Sequence, residues 1–216
     1  LTEIPEPPPE KISISPEIVL TREFCGSPIS NPMNGNILVV VKTPGGDVAI
    51  EELDPARQFV KVTSSPMLSP MVRRLVSSKY QTTVYRIDTV LSLASGFADS
   101  LIEPSISVAA MIDVLTLGSR SIIRIVVVWW WGDSPYVESI LTPPAGNDFV
   151  YAPSTLQVAD GLLFLAGSSP RGACVFVTKP AVRKSWSANY VGGESLVTCM
   201  TTTITKDRNF AFLAIA

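Results

Sequence analysis

Residues that could carry out chemistry are present in this sequence, but they lack a histidine base. The chain contains no histidine, which removes Ser-His-Asp and Cys-His nucleophile systems as well as His-ligated metal sites. Gly132-Asp133-Ser134 is therefore interpreted as a turn after a strand rather than as a hydrolase serine. Ser77-Ser78-Lys79 stands on a predicted helix, where residues two positions apart do not face each other. We predict no catalytic, cofactor-binding or metal-ligating residue, no cofactor and no enzyme activity.

Carboxylates and glycines give similarly weak signals. Glu51 and Glu52 are adjacent in a predicted strand, so their side chains should point to opposite faces. Pro44-Gly45-Gly46-Asp47 lies where a hairpin turn belongs, and neither of the two common glycine-rich phosphate motifs occurs. Two carboxylates distant in sequence could still form a glycosidase centre. An enzyme of carboxylate type therefore stays an open alternative.

The run Trp129-Trp130-Trp131 ends the most apolar segment of the chain, residues 121–131. Isoleucine and valine fill six positions of that segment and favour a strand, which we expect to be buried on most of both faces. Because side chains alternate along a strand, Trp129 and Trp131 should face one side and Trp130 the other. The rings could stack on sugars or bases, but we favour packing in the core and in interfaces. A carbohydrate-binding β-sandwich with this run as its sugar platform stays the alternative.

Charge is scarce in this chain. Charged residues make up 17% of the sequence and apolar residues 46%, against a usual charged content of about 25%. Such a surface favours burial against other chains. The net charge of −2 predicts no general affinity for nucleic acid or anionic membranes, and no segment is long enough for a membrane span. Dispersed cations are interpreted as solvated or interface charges: Arg120, Arg124, Arg171, Arg183 and Lys184.

Proline and glycine residues, which interrupt helices and strands, divide the chain into an arm and one domain. Residues 1–36 are Pro-rich and acidic at the start, which predicts an extended N-terminal arm; residues 37–216 form the domain. One helix is predicted at 69–78, capped by Ser69 with Pro70 at its first position. A further helical piece is predicted at 108–111, and a long loop at 132–154. Strands are predicted at 36–43, 48–52, 58–63, 81–91, 112–117, 121–131, 161–166, 173–178, 195–205 and 209–215.

Many short strands with few helices predict an all-β sandwich or barrel. The order of features resembles the jelly-roll coat proteins of picornavirus-like viruses, the picorna-like positive-strand RNA viruses. The similarity covers about residues 36–185 and lies in the helix at 69–78, the strand at 82–91, and Gly96-Phe97 leading to Pro104. It continues through Ile112-Asp113-Val114 to the aromatic strand end at Trp131, and through the apolar strands at 161–165 and 173–177. The family's strand-terminal Pro-Tyr is replaced here by Trp130-Trp131.

The resemblance implies an eight-stranded antiparallel jelly-roll β-sandwich with one or two short helices. It implies a structural subunit of a non-enveloped icosahedral capsid, released from a polyprotein, that self-assembles and co-assembles with other capsid subunits around the genome. The expected location is the virion, with assembly in the host cytoplasm. The arm would tie subunits together on the inside of the shell. Viral RNA is an expected partner of the chain there, although the acidity of the arm argues against the arm as the RNA-binding element. Loops such as 132–154 would face outward, toward neighbouring subunits or a host receptor.

Overall fold

Antiparallel strands dominate the part of the chain that the structure, a computed structural model, describes. The all-β prediction is therefore confirmed at the level of fold class. The described ranges are 23–43, 46–98, 104–117, 121–144, 150–151, 155–182, 185–192, 197, 200–204 and 211–215, the last two and residues 190–192 as backbone only.

The first sheet is built from the start of the described chain. Its strands are β1 (Glu23–Phe24), β2 (Ile29–Ser30), β3 (Ile37–Lys42), β4 (Val48–Asp54) and β5 (Val60–Pro66). The order is β1-β3-β4-β5, and β2 also pairs with β3. Within the predicted arm, residues 1–36, the structure describes residues 23–36, which contribute β1 and β2 to the sheet; residues 1–22 lie outside the described residues. The arm and domain boundary stays a prediction.

The one α-helix of the described residues is α1 (Pro70–Tyr80), which follows the first sheet. Ser69 Oγ accepts a hydrogen bond from the Val72 backbone N–H at 3.3 Å, which caps the helix as predicted. The helix ends at Gln81, whose backbone is left-handed with φ 51°. Val72 and Val76, one turn apart, are fully buried and dock the helix on the core.

The second sheet contains the Trp run. Its strands β6 (Thr83–Phe97), β7 (Ile106–Leu117), β8 (Ile122–Trp131) and β9 (Tyr136–Leu141) pair in that order. β7 is a strand throughout, so the prediction of helix at 108–111 is wrong: pairing with β6 and β8 on both sides overrides the helix propensity of Ala and Met. β9 lies within residues 132–154, for which a loop was predicted. That prediction is therefore wrong for residues 136–141.

Three irregularities in β6 change which of its residues face the core. The register with β7 shifts between Val84 and Arg86, between Ile87 and Thr89, and between Val90 and Ser92. Each shift inserts one residue without a partner, as a β-bulge does. Apolar residues three apart thereby pack on the same core: Val84, Ile87, Val90 and Leu93.

The third sheet completes the described fold. Its strands β10 (Leu156–Ala159), β11 (Leu162–Ser169), β12 (Gly172–Thr178) and β13 (Ser187–Gly192) again pair in chain order. β14 (Met200–Ile204) and β15 (Ala211–Ile215) form a separate two-stranded sheet. Strands adjacent in sequence pair in the second and third sheets, whereas Greek-key folds such as the jelly roll bring back a distant strand. The jelly-roll connectivity is not confirmed, and the prediction of eight strands is wrong, since more than eight occur in the described residues.

The second sheet is the middle of three layers. On one face, Ile112, Ile125 and Val127 pack with Leu38 and Ile50 of the first sheet. The opposite face carries the alternate residues of the same strands and packs on the third sheet, through Ala109, Met111, Val126, Val128, Leu163, Leu165 and Phe176. This double burial confirms the prediction that the apolar strand is covered on most of both faces, and it explains the continuous apolar run.

Candidate functional site

The residues singled out for nucleophile chemistry lie apart from one another. Gly132-Asp133-Ser134 forms the turn between β8 and β9, with Asp133 and Ser134 exposed. Ser77, Ser78 and Lys79 lie in the last turns of α1. Within the ranges the structure describes, no three acidic or cysteine side chains come close enough to hold a metal ion. In the predicted turn at 44–47, only Gly46 and Asp47 belong to the described residues.

Glu52 lies at the centre of the most connected polar cluster among the described residues. Its Oε1 accepts hydrogen bonds from the side-chain amides of Asn31, Asn34 and Asn36 at 3.1, 2.8 and 2.7 Å. Its Oε2 accepts from Trp131 Nε1 at 2.7 Å. The carboxylate is buried, with 4% of the residue exposed, so these donors replace water. The cluster joins the first sheet to the end of β8.

These hydrogen bonds change the acidity of Glu52. Burial alone would raise the pKa of its carboxyl group. Hydrogen bonds from Asn34, Trp131, Asn36 and Asn31 favour the charged form and together outweigh burial, so the pKa lies below its ordinary value of 4.5. Neighbouring Glu51 is buried too, with Oε1 3.8 Å from Lys61 Nζ. Glu52 thus has a structural role, because its hydrogen bonds hold the first sheet and the end of β8 together.

Arg124 is bound within the second sheet and is more than the dispersed solvated charge that was predicted. Its Nε and Nη2 donate to the two carboxylate oxygens of Asp113 at 2.8 and 2.9 Å, in a two-pronged pair across β7 and β8. The hydrogen bond to Asp113 raises the pKa of Arg124 further, which keeps it charged. Of the other predicted cations, Arg171 is exposed, and Arg120, Arg183 and Lys184 lie outside the described residues.

The three tryptophans lie on the two faces of β8 that the alternation of side chains along a strand predicted. Trp129 and Trp131 are buried in the core between the first and second sheets. Trp130 lies on the opposite face, half-buried, and its ring stacks on that of Tyr136 with centroids 5.4 Å apart and planes 19° apart. Farther along β8, the third sheet covers Val126 and Val128 on that face. Trp130 therefore lies where the cover ends, and its ring is accessible.

Two local features hold the Trp130 ring and place a carboxylate beside it. A Cβ at Gly132 would lie 2.5 Å from Cη2 of Trp130, so the ring occupies the space that a side chain at position 132 would fill. β9 pairs Val137 with Trp129 and Ser139 with Val128, which leaves Glu138 between them as a bulge residue. Glu138 is exposed and has no hydrogen-bond or ion-pair partner among the described residues. Sequence reasoning missed Glu138 because it placed this residue in a loop.

Trp130 and Glu138 line an open groove between the second and third sheets. Its volume is about 480 Å³, within the range of small-ligand sites. Lys179, Ser105 directly before β7, and Ser107 within β7 add polar groups to the lining. Further lining residues are small or aliphatic: Ala98, Val128, Val158, Gly161, Leu162, Leu163, Pro180, Ala181 and Val182.

A second exposed feature is the outer edge of the first sheet, which we call the β5 edge: Phe59, Val60 and Val62. β5 pairs with β4 only, among the described strands. Val60 and Val62 are each 55% exposed and Phe59 is 44% exposed. Gln58 and Phe59 both have left-handed backbone, with φ 56° and 61°, a conformation that costs about 1–2 kcal/mol for a residue with a side chain. The edge therefore combines exposed apolar surface with local backbone strain.

Two features limit strand addition along the β5 edge. The register between β4 and β5 shifts at Glu52 and Leu53, so Val62 is a bulge residue, and Pro66 ends the strand. Bulges, prolines and lysines such as Lys61 are the means by which natural sheets prevent open-ended pairing of edge strands. Contact at this edge would therefore be made by side chains.

No helix in the described part of the chain is both long enough and apolar enough to cross a bilayer.

Comparisons with known proteins assign this chain to no family. No protein-family model, curated protein or solved structure matches the chain.

Proposed function

We propose that this chain is a structural subunit that assembles through the β5 edge, in the specific form of a capsid subunit of a non-enveloped icosahedral virus. The single observation that carries the proposal is the exposure of Val60 and Val62 on the edge strand β5 and of Phe59 directly before it. Exposed apolar side chains grouped on one surface are typical of protein–protein contacts. The low content of charged residues, 17%, agrees with a surface that other chains cover.

The capsid form of the proposal rests on the sequence resemblance and on part of the element order. α1, β6, β7 and an aromatic end of β8 follow one another in the order that the resemblance expects. The pairing of the sheets in chain order gives the jelly-roll form no support. Subunit contacts in such a shell repeat under closed symmetry, and a strand edge interrupted by a bulge and a proline suits closed contacts better than open fibres.

The experiment compares assembly of the full chain with that of a variant carrying Val60→Thr and Val62→Thr. Threonine keeps the branched shape and the strand preference of valine while replacing one methyl by a hydroxyl. Val150→Thr is the matched control, because Val150 is 63% exposed and pairs with Ser168 of the third sheet rather than with the first sheet. Sedimentation velocity over a range of protein concentrations measures the association.

The proposal predicts concentration-dependent association of the wild-type chain and of Val150→Thr. The double variant should associate about ten- to a hundredfold more weakly, since each interface residue of moderate importance contributes about 1 kcal/mol or more. A wild-type chain that stays monomeric at every concentration contradicts the proposal. If Val150→Thr weakened association equally, the β5 edge would contribute no more to association than another exposed valine does.

A further inference from the structure

We propose that the groove beside Trp130 binds a short, uncharged saccharide, with the indole ring against an apolar face of a sugar and Glu138 accepting its hydroxyl hydrogens. The site is distinct from the β5 edge and does not depend on the assembly function. Aromatic rings present a broad apolar face, and the polar edge of a sugar needs hydrogen-bonding groups beside that face. The groove supplies both.

The ring is held in place before any ligand arrives. Trp130 lies over Gly132, where a Cβ would collide with it at 2.5 Å, and stacks on Tyr136 at a centroid distance of 5.4 Å. A side chain fixed in this way loses little conformational entropy when a ligand binds, which favours affinity. Packing with the core does not require this arrangement, because Trp129 and Trp131 fill the core on the other face.

The polar groups of the groove select the class of ligand. Glu138, on the β9 bulge, lines the groove without a hydrogen-bond or ion-pair partner among the described residues, and a carboxylate can only accept hydrogen bonds. Sugar hydroxyls are donors of that kind. Lys179 also lines the groove, so the formal charges of the lining residues that the structure describes cancel. This balance disfavours phosphate-rich ligands, which need several cations, and it favours a neutral polyol.

The shape and lining disfavour the other neutral ligands. The groove holds about 480 Å³ and is open to solvent, whereas a lipid chain would need an enclosed apolar cavity. The Ser105 and Ser107 side chains, which also line it, can donate or accept hydrogen bonds. A mixture of one aromatic ring, hydroxyls and a carboxylate is what a sugar with one apolar face and several hydroxyls requires.

The test is saturation-transfer difference NMR on the full chain with four neutral probes. The probes are the methyl β-glycosides of glucose, galactose and N-acetylglucosamine, and lactose; 3′-sialyllactose is the anionic comparison. We expect transfer to at least one neutral probe, strongest at the carbon-bound protons of one sugar face. Trp130→Ala should weaken that binding about tenfold, which is the effect of losing one favourable aromatic contact.

Two further variants separate binding from folding. Glu138→Gln changes an exposed side chain and should leave the fold intact while weakening binding about threefold to tenfold. Tyr85→Ala removes an exposed aromatic residue, 54% accessible, that does not line the groove and should leave binding unchanged. The proposal is overturned if no neutral probe receives transfer, or if transfer survives both Trp130→Ala and Glu138→Gln. It is also overturned if only the sialylated probe binds.

Discussion

Replacing Glu52 by Gln should destabilise the protein far more than the loss of one charge at its surface would. The carboxylate accepts three amide hydrogens on Oε1 and the Trp131 indole hydrogen on Oε2. A carboxamide has one oxygen and one NH₂ group, so in either orientation an NH₂ meets a donor. The better orientation keeps the three asparagines and leaves the Trp131 N–H unpaired. Losing a hydrogen bond to a charged group and burying an unpaired donor lowers the free energy of unfolding by about 2–4 kcal/mol.

The effect of this substitution depends on pH in a defined direction. Because the pKa of Glu52 lies below 4.5 in the folded protein, its contribution to stability is complete above that value. The contribution is lost as the pH falls through the folded pKa. The difference between wild type and Glu52→Gln should therefore be constant from pH 7 to pH 5 and shrink below pH 4.5. Urea unfolding followed by circular dichroism at several pH values measures it, with exposed Glu138→Gln as the isosteric control.

A double-mutant cycle assigns the effect to the Trp131 hydrogen bond. Trp131→Phe and Glu52→Gln should be coupled by about 1–2 kcal/mol, because they remove the two partners of one interaction. Trp129→Phe is the matched comparison: Trp129 is equally buried, and its Nε1 has no hydrogen-bond partner among the described residues. Coupling of equal size with Trp129, or a Glu52→Gln variant as stable as wild type at pH 7, would refute the reasoning.

Two further predictions concern packing and charge in the sheets. A Cβ on Gly96 would lie 2.1 Å from the Val158 carbonyl oxygen, which is backbone and cannot rotate away; Gly96→Ala should therefore lower stability by about 2–3 kcal/mol. Gly167→Ala is its control in a thermal melt and should cost less, because the added Cβ meets the side chain of Tyr151; equal losses would argue against the close approach. Asp113→Asn should cost about 1–2 kcal/mol at low salt, reduced because Arg124 is about one-third exposed. The loss should shrink in concentrated NaCl, and a salt-independent value would contradict a charge effect.

Local signals in the sequence predicted the parts of the fold that depend on local interactions. The helix start at Ser69 and Pro70 is confirmed because capping involves only residues within one turn. The division of the Trp run is confirmed because alternation follows from strand geometry alone. Strict alternation along the strand predicted at 81–91 would put Val84 and Ile87 on opposite faces, but the bulges of β6 place Val84, Ile87 and Val90 on one core. Bulges are set by pairing with β7, which the sequence of β6 does not reveal.

The polar cluster and the groove depend on residues far apart in the chain. Trp131 donates to a carboxylate 79 positions away, and no pattern within either strand points to that partner. The groove needs the third sheet to cover Val126 and stop before Trp130. Glu138 could be found only after β9 was recognised, and the sequence Tyr136-Val137-Glu138-Ser139-Ile140-Leu141 has no regular alternation of apolar residues that would predict this strand. The strand was obscured by the Pro and Gly residues on either side of it.

The most direct test of the proposed assembly function is electron microscopy of the high-mass fraction of the purified chain. The account predicts closed, symmetric particles in which Phe59, Val60 and Val62 lie at contacts between subunits. These particles should be absent or much rarer for the variant with Val60→Thr and Val62→Thr. A chain that yields only monomers, or particles in which the β5 edge faces solvent, would contradict it.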